Sequence, residues 1–344
     1  MKQQDSETMD DRIALSVKEW QKLEYGMFIH FGMSTFTGRE IDPGDRPSST
    51  YAPTQLDVDQ WIRVAHDAGM KYAVLTSKHV AGHCLWDSKV QWKGKEFDYD
   101  VATSSNRTDV VAEFVKACGK YNLKAGLYYC LMDGPNGHGH TTWSASELKP
   151  EFFHLVQAHL KELLGRYPGI FYLWIDIPRV ASMEQRTTIY QFIKNIAPGC
   201  VVLFNHGCEL PSPMSIEKFQ AAWPTDILNS ERNVAKPGAF SGVQTLNAKT
   251  YQLGYEHCDT ICKNWFSVAG DNPRPAEELY TLYRSVRQAP GNFLLNVPPD
   301  RTGRIPDCHV QRLMELRKRI DTVSPIKTTA QPSARGDGRP APQP

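Results

Sequence analysis

Apolar and polar positions along this chain follow two different periods. Short, nearly continuous apolar runs such as GIFYLWID (169–176) predict strands that are buried on both faces. Longer stretches place apolar residues three or four positions apart, which predicts helices. In DVDQWIRVAHDAGM (57–70) they recur at 58, 61, 62 and 65, and Asp57 is a suitable N-cap. The chain therefore predicts a repeated strand–helix unit.

The predicted elements alternate through most of the sequence. Strands are predicted at 25–32, 72–79, 123–130, 169–176, 200–206, 225–231, 262–268 and 291–299. Helices are predicted at 57–70, 108–122 with Thr108 as its cap, 147–167, 183–199, 275–289 and 307–320. About eight parallel strands over this length fit a closed (β/α)8 barrel, the TIM-barrel fold. An open doubly wound sheet is the alternative, but HFGMSTFTG (30–38) is a poor match to its glycine-rich phosphate turn.

Composition narrows the class of protein further. The 344 residues are 41% hydrophobic and 22% charged, as in an ordinary globular protein, and the net charge of +1 favours neither nucleic acid nor an anionic membrane as a partner. The first 20 residues are polar and contain no apolar core of a signal peptide, so a cytoplasmic location is expected. Eight cysteines are then expected to be free thiols, and Cys258-x-x-x-Cys262 lacks a second pair at zinc-like spacing.

Three segments are predicted along the chain. Residues 1–19 form a polar N-terminal segment, residues 20–322 form one catalytic domain, and residues 323–344 form a tail rich in proline, glycine and arginine. The tail is expected to be disordered, and its Arg-Gly-Asp triplet (335–337) is interpreted as a chance match.

Polar side chains follow one predicted strand after another. They are His30, His79, Asp133, Asp176, His206, Glu231 and Asn296. Functional groups at the carboxyl ends of several strands are the layout of a barrel active site. Capping explains single cases, such as Asp133 before Gly-Pro, but does not explain seven equivalent positions. Asp176 ends the most apolar strand, where a buried charge is costly unless it is used.

Two carboxylates at a barrel rim suggest glycoside hydrolysis. One attacks the anomeric carbon and the other protonates the leaving oxygen. Aromatic side chains near them would pack on a sugar ring, and histidines together with Glu40 would bind its hydroxyls. The candidate aromatic residues are Tyr128, Tyr129, Trp174 and Trp265.

A set of motifs in this chain resembles the α-L-fucosidases of glycoside hydrolase family 29. In chain order they are GMFIHFGMSTFTGREID, AGMKYAVLTSKHVAGHCLWDS, LKAGLYYCLMD, YLWID, LNSER, YEHCDTICKNWF and GNFLLNVPPDRTGRI. The resemblance covers about residues 20 to 320. It implies a (β/α)8-like catalytic barrel and a retaining double displacement that needs neither metal nor cofactor. Many relatives carry a C-terminal β-sandwich after this region, and none is expected in the residues that follow 320 here.

The resemblance also implies a role for individual residues. Asp176, in the Trp-x-Asp motif, is the expected nucleophile, Glu231 the first choice for the acid/base, and Glu256 the second. The sugar-contacting positions map onto His30, Glu40, His79, Tyr128 or Tyr129, and Trp174. Arg232, beside Glu231, is a further candidate. The expected substrate is a terminal α-L-fucosyl group on an oligosaccharide or glycoconjugate, and homo-oligomerisation is left open.

One motif departs from the family pattern. The family usually reads Lys-His-His-Asp-Gly-Phe where this chain reads KHVAGH, so Val80, Ala81 and His83 replace a histidine, an acid and an aromatic residue. Ile41 likewise stands where tryptophan is frequent. A lost hydrogen-bond donor discriminates strongly between sugars. Two alternatives therefore remain: a glycosidase of the same fold for a different sugar, and a catalytically silent carbohydrate-binding protein.

Overall fold

The computed structural model describes residues 9–137, 147–205, 220, 222–234, 243–246, 248–289 and 291–322. The predictions for His206 and for the tail 323–344 lie outside these residues.

Eight strands form one parallel sheet, in the order β7-β6-β5-β2-β1-β12-β11-β8. They are β1 Tyr25–Ile29, β2 Tyr72–Lys78, β5 Lys124–Cys130, β6 Ile170–Asp176, β7 Val201–Phe204, β8 Ile227–Glu231, β11 Gly254–Thr260 and β12 Asn292–Asn296. Two antiparallel hairpins lie outside this sheet: β3 Gln91–Trp92 with β4 Lys95–Glu96, and β9 Val243–Leu246 with β10 Lys249–Gln252. The predicted (β/α)8 barrel is confirmed.

The α-helices in the described part of the chain are Met9–Gln21, Met33–Thr37, Val58–Asp67, Val110–Lys120, Pro150–Arg166, Met183–Ile196, Ala276–Gln288 and Asp307–Thr322. Asp57 caps its helix as predicted, since its carboxylate accepts a hydrogen bond from Gln60 N. The cap of the next long helix is Asp109, which accepts from Ala112 N, and the prediction of Thr108 was wrong. Within the described residues, the helices are too short or too polar to cross a membrane.

One predicted strand was misplaced. The segment 262–268 contains bends, and the strand at this point of the barrel is β11, Gly254–Thr260. This strand carries Glu256, His257 and Asp259 at buried positions. Because their polarity interrupts the apolar run, the hydrophobic pattern alone missed the strand.

Alternating side chains of each strand enter two separate cores. In β6, Tyr172 and Trp174 point into the barrel interior, while Leu173 and Ile175 pack outward among the helices. Trp20, from the helix Met9–Gln21, is fully buried in the interior cluster. Its indole lies 5.8 Å from the Tyr172 ring, measured between centroids. This residue fills the end of the barrel opposite the carboxyl rim.

The interior is filled by large aromatic residues, so one strand position must be glycine. A Cβ on Gly26 of β1 would lie 2.5 Å from the Tyr72 ring. The absent side chain lets Tyr72 occupy the centre of the barrel. Packing therefore requires a glycine here in a strand of otherwise large residues.

The barrel closes between β7 and β8 largely through side chains. Asp226, just before β8, donates its backbone N–H to Val202 O at 2.8 Å and accepts from Val202 N through Oδ2, also at 2.8 Å. The same carboxylate is buried with Lys194, whose Nζ lies 2.6 Å from Oδ2, and accepts from Tyr190 OH. We call this junction the seam. The helix Met183–Ile196 thus contributes directly to barrel closure.

Candidate active site

The carboxyl ends of the strands gather the predicted polar residues at one rim. Asp176 and Glu231 end β6 and β8, and His30 and His79 directly follow β1 and β2. Parallel strands present their carboxyl ends at the same side of a barrel, so these side chains surround one opening.

Asp176 is held by three hydrogen-bond donors. Tyr128 OH donates to Oδ2 at 2.6 Å, while Asn205 Nδ2 and the backbone N–H of Ile177 donate to Oδ1 at 2.8 and 2.9 Å. Burial raises the pKa of Asp176 above its ordinary value, and the three donors oppose that rise because they favour the ionised form. The three hydrogen bonds fix the orientation of the carboxylate.

Glu231 lies across the seam from Asp176. Asn205 Nδ2, which donates to Asp176 Oδ1 at 2.8 Å, is also 3.5 Å from Glu231 Oε2. Those two carboxylate oxygens are therefore no further apart than the two distances combined, about 6.3 Å. One amide thus connects the two acidic side chains.

A stack of three rings stands beside Asp176. Tyr128 lies between His79, at 5.5 Å and 19°, and Trp174, at 5.4 Å and 20°. Tyr128 and Trp174 lie in the adjacent strands β5 and β6 and are partners in the strand register, and His79 directly follows β2. The stack fixes the Tyr128 ring so that its hydroxyl meets Asp176.

His30 is held in one tautomer by Asn296. Asn296 Nδ2 donates to Trp265 O at 2.8 Å, so its Oδ1 faces His30 and lies 2.8 Å from Nδ1. A carbonyl oxygen only accepts, so the proton is on Nδ1 and Nε2 is an acceptor. Burial lowers the pKa of His30 to about 3, so the ring is neutral. Trp265 packs against His30 with ring centroids 5.0 Å apart.

Three other predicted residues have different surroundings. The Arg232 guanidinium lies 4.9 Å from the centre of the Trp265 ring and donates to Lys263 O, which places it at the rim. Glu40 is exposed in the loop after the helix Met33–Thr37, and its sugar-binding role stays a prediction. Tyr129 lies in the outer core with its hydroxyl 3.0 Å from His159 Nδ1. A sugar-contacting Tyr129 does not fit this placement, so Tyr128 is the candidate that stays.

Glu256 lies inside the barrel, fully buried. Its Oε2 accepts from Tyr72 OH at 2.9 Å, and its Oε1 accepts from Tyr172 OH at 2.9 Å and Trp174 Nε1 at 3.0 Å. Burial raises the pKa of Glu256 to about 7, against the opposing effect of these donors. Both oxygens are engaged beneath the aromatic stack, a poor position for protonating a leaving group.

The departures in KHVAGH have different consequences. Val80 is fully buried in the interior cluster with Tyr128, Trp174 and Trp265, so an apolar side chain packs behind these candidate sugar-contacting residues. His83 instead bonds Ser104 Oγ through Nε2 at 2.8 Å, and its ring packs on Tyr51, away from the interior cluster. Of these two substitutions, Val80 is the one that packs against candidate site residues.

Sequence reasoning missed two residues of this site. Asn205 follows β7, and Asn229 lies in β8 with its Nδ2 2.6 Å from Asn205 Oδ1. The signal for Asn205 was its position, since it precedes His206 at a strand end. Asn229 sits inside a strand, where the pattern of strand ends does not point to it.

Paired acidic residues at the rim of a (β/α)8 barrel, beside a wall of aromatic rings, are the layout of a barrel glycosidase. A family model described as alpha-L-fucosidase matches residues 45–321. The chain belongs to the α-L-fucosidase family.

Individual relatives are similar over most of this chain. Alpha-L-fucosidase 1 of Arabidopsis thaliana is 29% identical over 315 residues, which are 89% of this chain and 59% of that protein. A putative α-L-fucosidase 1 of Oryza sativa is 27% identical over 89% of this chain and 58% of that protein. The chain thus spans about three fifths of these relatives. A putative α-L-fucosidase structure from Bacteroides thetaiotaomicron has a TM-score of 0.72 at 25% identity, covering 89% of this chain and 67% of that one.

Proposed function

We propose that this protein is a retaining exo-glycosidase that hydrolyses a terminal α-L-fucosyl group, with Asp176 as nucleophile and Glu231 as acid/base. The observation that carries the proposal is the pair of acidic side chains joined by Asn205 at the rim of a barrel of this family. Asp176 Oδ1 and Glu231 Oε2 are at most about 6.3 Å apart, and this short separation supports a retaining mechanism. Inverting enzymes separate their carboxyl groups by roughly 6.5–9.5 Å, and retaining ones by about 5–5.5 Å.

The reaction proceeds in two displacements. Asp176 attacks the anomeric carbon and forms a glycosyl ester, while the glycosidic C–O bond breaks and the leaving oxygen takes the proton of Glu231. Water then gives a proton to the Glu231 carboxylate and attacks the same carbon, which releases the sugar and regenerates the Asp176 carboxylate. His30 Nε2 accepts a hydrogen bond from a sugar hydroxyl, and Trp265 packs on the ring.

The test is hydrolysis of an aryl α-L-fucoside followed by proton NMR, in which the first sugar formed is the α anomer. Asp176→Ala abolishes turnover, and azide restores it with a β-fucosyl azide product. In Glu231→Ala, azide restores turnover with an α-fucosyl azide product, because it attacks the glycosyl-enzyme. Full activity of either variant without azide contradicts the assignment.

The apolar Val80 in the interior cluster, at a position where the family usually has histidine, favours a second candidate, a glycosidase of the same mechanism for a sugar with a different hydroxyl pattern. A site without a donor for one hydroxyl loses much of its preference for that hydroxyl. Measuring kcat/KM on a panel of aryl glycosides distinguishes the two candidates, because the preferred sugar gives the highest value. Binding without turnover across the panel supports a silent carbohydrate-binding protein instead.

A further inference from the structure

We propose that Asn205 is a positioning residue whose amide is shared by the two catalytic carboxylates and follows the negative charge from one to the other during the reaction. The inference rests on the proposed function. The observation behind it is a separate one, namely the contacts that the buried Asn205 amide makes.

The geometry gives Asn205 two acidic neighbours at unequal distances. Its Nδ2 is 2.8 Å from Asp176 Oδ1 and 3.5 Å from Glu231 Oε2. An amide nitrogen carries two hydrogens, enough for one bond to each carboxyl group. The short bond belongs to the residue that must be anionic before attack, and the long contact to the residue that must then carry a proton.

A hydrogen bond from Asn229 fixes the orientation of the Asn205 amide. Asn229, fully buried in β8, donates from Nδ2 to Asn205 Oδ1 at 2.6 Å. A flipped Asn205 amide would turn its oxygen toward the ionised Asp176 and its nitrogen toward the donor Nδ2 of Asn229. Both contacts would be repulsive, so the NH2 group stays on the acidic side.

A neutral donor suits both half-reactions. In the free enzyme, the hydrogen bond to Asp176 stabilises its ionised form. When Asp176 becomes an ester it loses its charge, and Glu231 has become a carboxylate. The second amide hydrogen then stabilises Glu231 as the base for water. A cation at this position would hold Glu231 ionised from the start and oppose its role as an acid.

Two substitutions test the proposal. Asn205→Ala removes the shared donor, so kcat/KM falls ~10- to 100-fold, the effect of losing a hydrogen bond to a charged group. The acidic limb of the kcat/KM profile moves to higher pH because Asp176 loses a donor. Asn205→Asp has the same shape and can still accept from Asn229, but it offers no donor until protonated. Its activity is lower at neutral pH and recovers toward acidic pH.

The matched control is Asn106→Ala, which removes an amide that donates to Pro53 O outside the site. Activity and pH profile are unchanged in this variant, and thermal unfolding shows that all variants are folded. Asn205 variants with the wild-type pH profile and a loss under ~3-fold, smaller than that of a neutral hydrogen bond, overturn the proposal.

A carbon-13 NMR titration of the Asp176 carboxyl separates this proposal from the proposed function, since it needs no turnover. Asn205→Ala raises the titration midpoint of Asp176 even if the wild type cleaves no glycoside on the panel. An unchanged midpoint contradicts the role of Asn205, whereas an inactive wild type contradicts only the proposed function.

Discussion

Glu256 and Trp174 are joined by a 3.0 Å hydrogen bond from the indole Nε1 to the carboxylate Oε1, inside the barrel. The same Trp174 stacks on Tyr128, whose hydroxyl donates to Asp176. A buried acid that does not face the opening is thereby connected to Asp176 through two rings.

The burial of Glu256 makes stability depend on pH. Its pKa is about 7 when folded and 4.5 in the ordinary state, so the folded protein holds the proton more tightly. The contribution of Glu256 to stability is therefore present below pH 4.5 and lost as the pH rises to 7, by about 3 kcal/mol. Other buried groups, such as His30 and Asp100, also change stability with pH, so the contribution is measured as the difference between the wild type and Glu256→Gln in urea unfolding across this range. Equal slopes for both proteins contradict the assignment.

Activity distinguishes Glu256 from Glu231. We expect Glu256→Gln to keep kcat/KM within about tenfold, because glutamine still accepts from Trp174 and supports the stack. Glu231→Gln loses activity strongly on substrates with poor leaving groups and much less on activated aryl glycosides, since only the former need protonation. The reverse pattern makes Glu256 the acid/base.

We expect Tyr128 to set the acidic limb of the pH profile of kcat/KM. Tyr128→Phe keeps the stacked ring and removes the 2.6 Å hydrogen bond to Asp176 Oδ2. The pKa of Asp176, already raised by burial, rises further, so the acidic limb of kcat/KM moves to higher pH. We expect the plateau to fall ~10- to 100-fold. Tyr129→Phe, in the outer core, is the control and leaves the limb in place.

The seam depends on a buried ion pair. Lys194→Met leaves Asp226 buried without its cation, which costs about 3–5 kcal/mol. Urea unfolding measures the change in free energy, and Lys161→Met, an exposed position on the helix Pro150–Arg166, is the control. If both variants unfold at the wild-type urea concentration, Lys194 does not stabilise the seam.

Alanine substitutions at two glycines are expected to have opposite effects on stability. Gly26→Ala places a methyl group 2.5 Å from the Tyr72 ring, so overpacking costs roughly 1–3 kcal/mol. Gly165→Ala, in a helix where a Cβ meets no atom within 4 Å, stabilises by roughly 0.5–1 kcal/mol. Thermal unfolding of both variants checks the signs, and a stable Gly26→Ala protein contradicts the packing argument.

Hydrophobic periodicity predicted the barrel because most strands are apolar on both faces. It missed β11, whose buried Glu256, His257 and Asp259 are stabilised by contacts that a sequence does not display. The family resemblance left Tyr128 and Tyr129 as alternatives, since neighbouring strand residues face opposite sides and the sequence does not say which side is the interior. Thr108 and Asp109 are both good caps, and the backbone conformation decided between them.

Site residues at a strand end carry a positional signal in the sequence, whereas those inside a strand do not. Asp176 and Glu231 end strands, and Asn205 follows one. Asn229 and Glu256 lie within strands, where polar residues are usually structural. Their connections to Asn205 and Trp174 depend on register between strands that are far apart in sequence.

The seam is the one junction at which the described strands of this barrel are not joined by a backbone ladder. The ladders run without interruption from β8 through β11, β12, β1, β2, β5 and β6 to β7. Asp176 and Glu231 stand on opposite sides of the junction, which is held by Asp226, Lys194 and two asparagines. Under the proposed function, substitutions among these polar residues change the spacing of the two carboxylates without breaking a strand ladder, so descendants of this chain can alter their chemistry there while the rest of the barrel is kept.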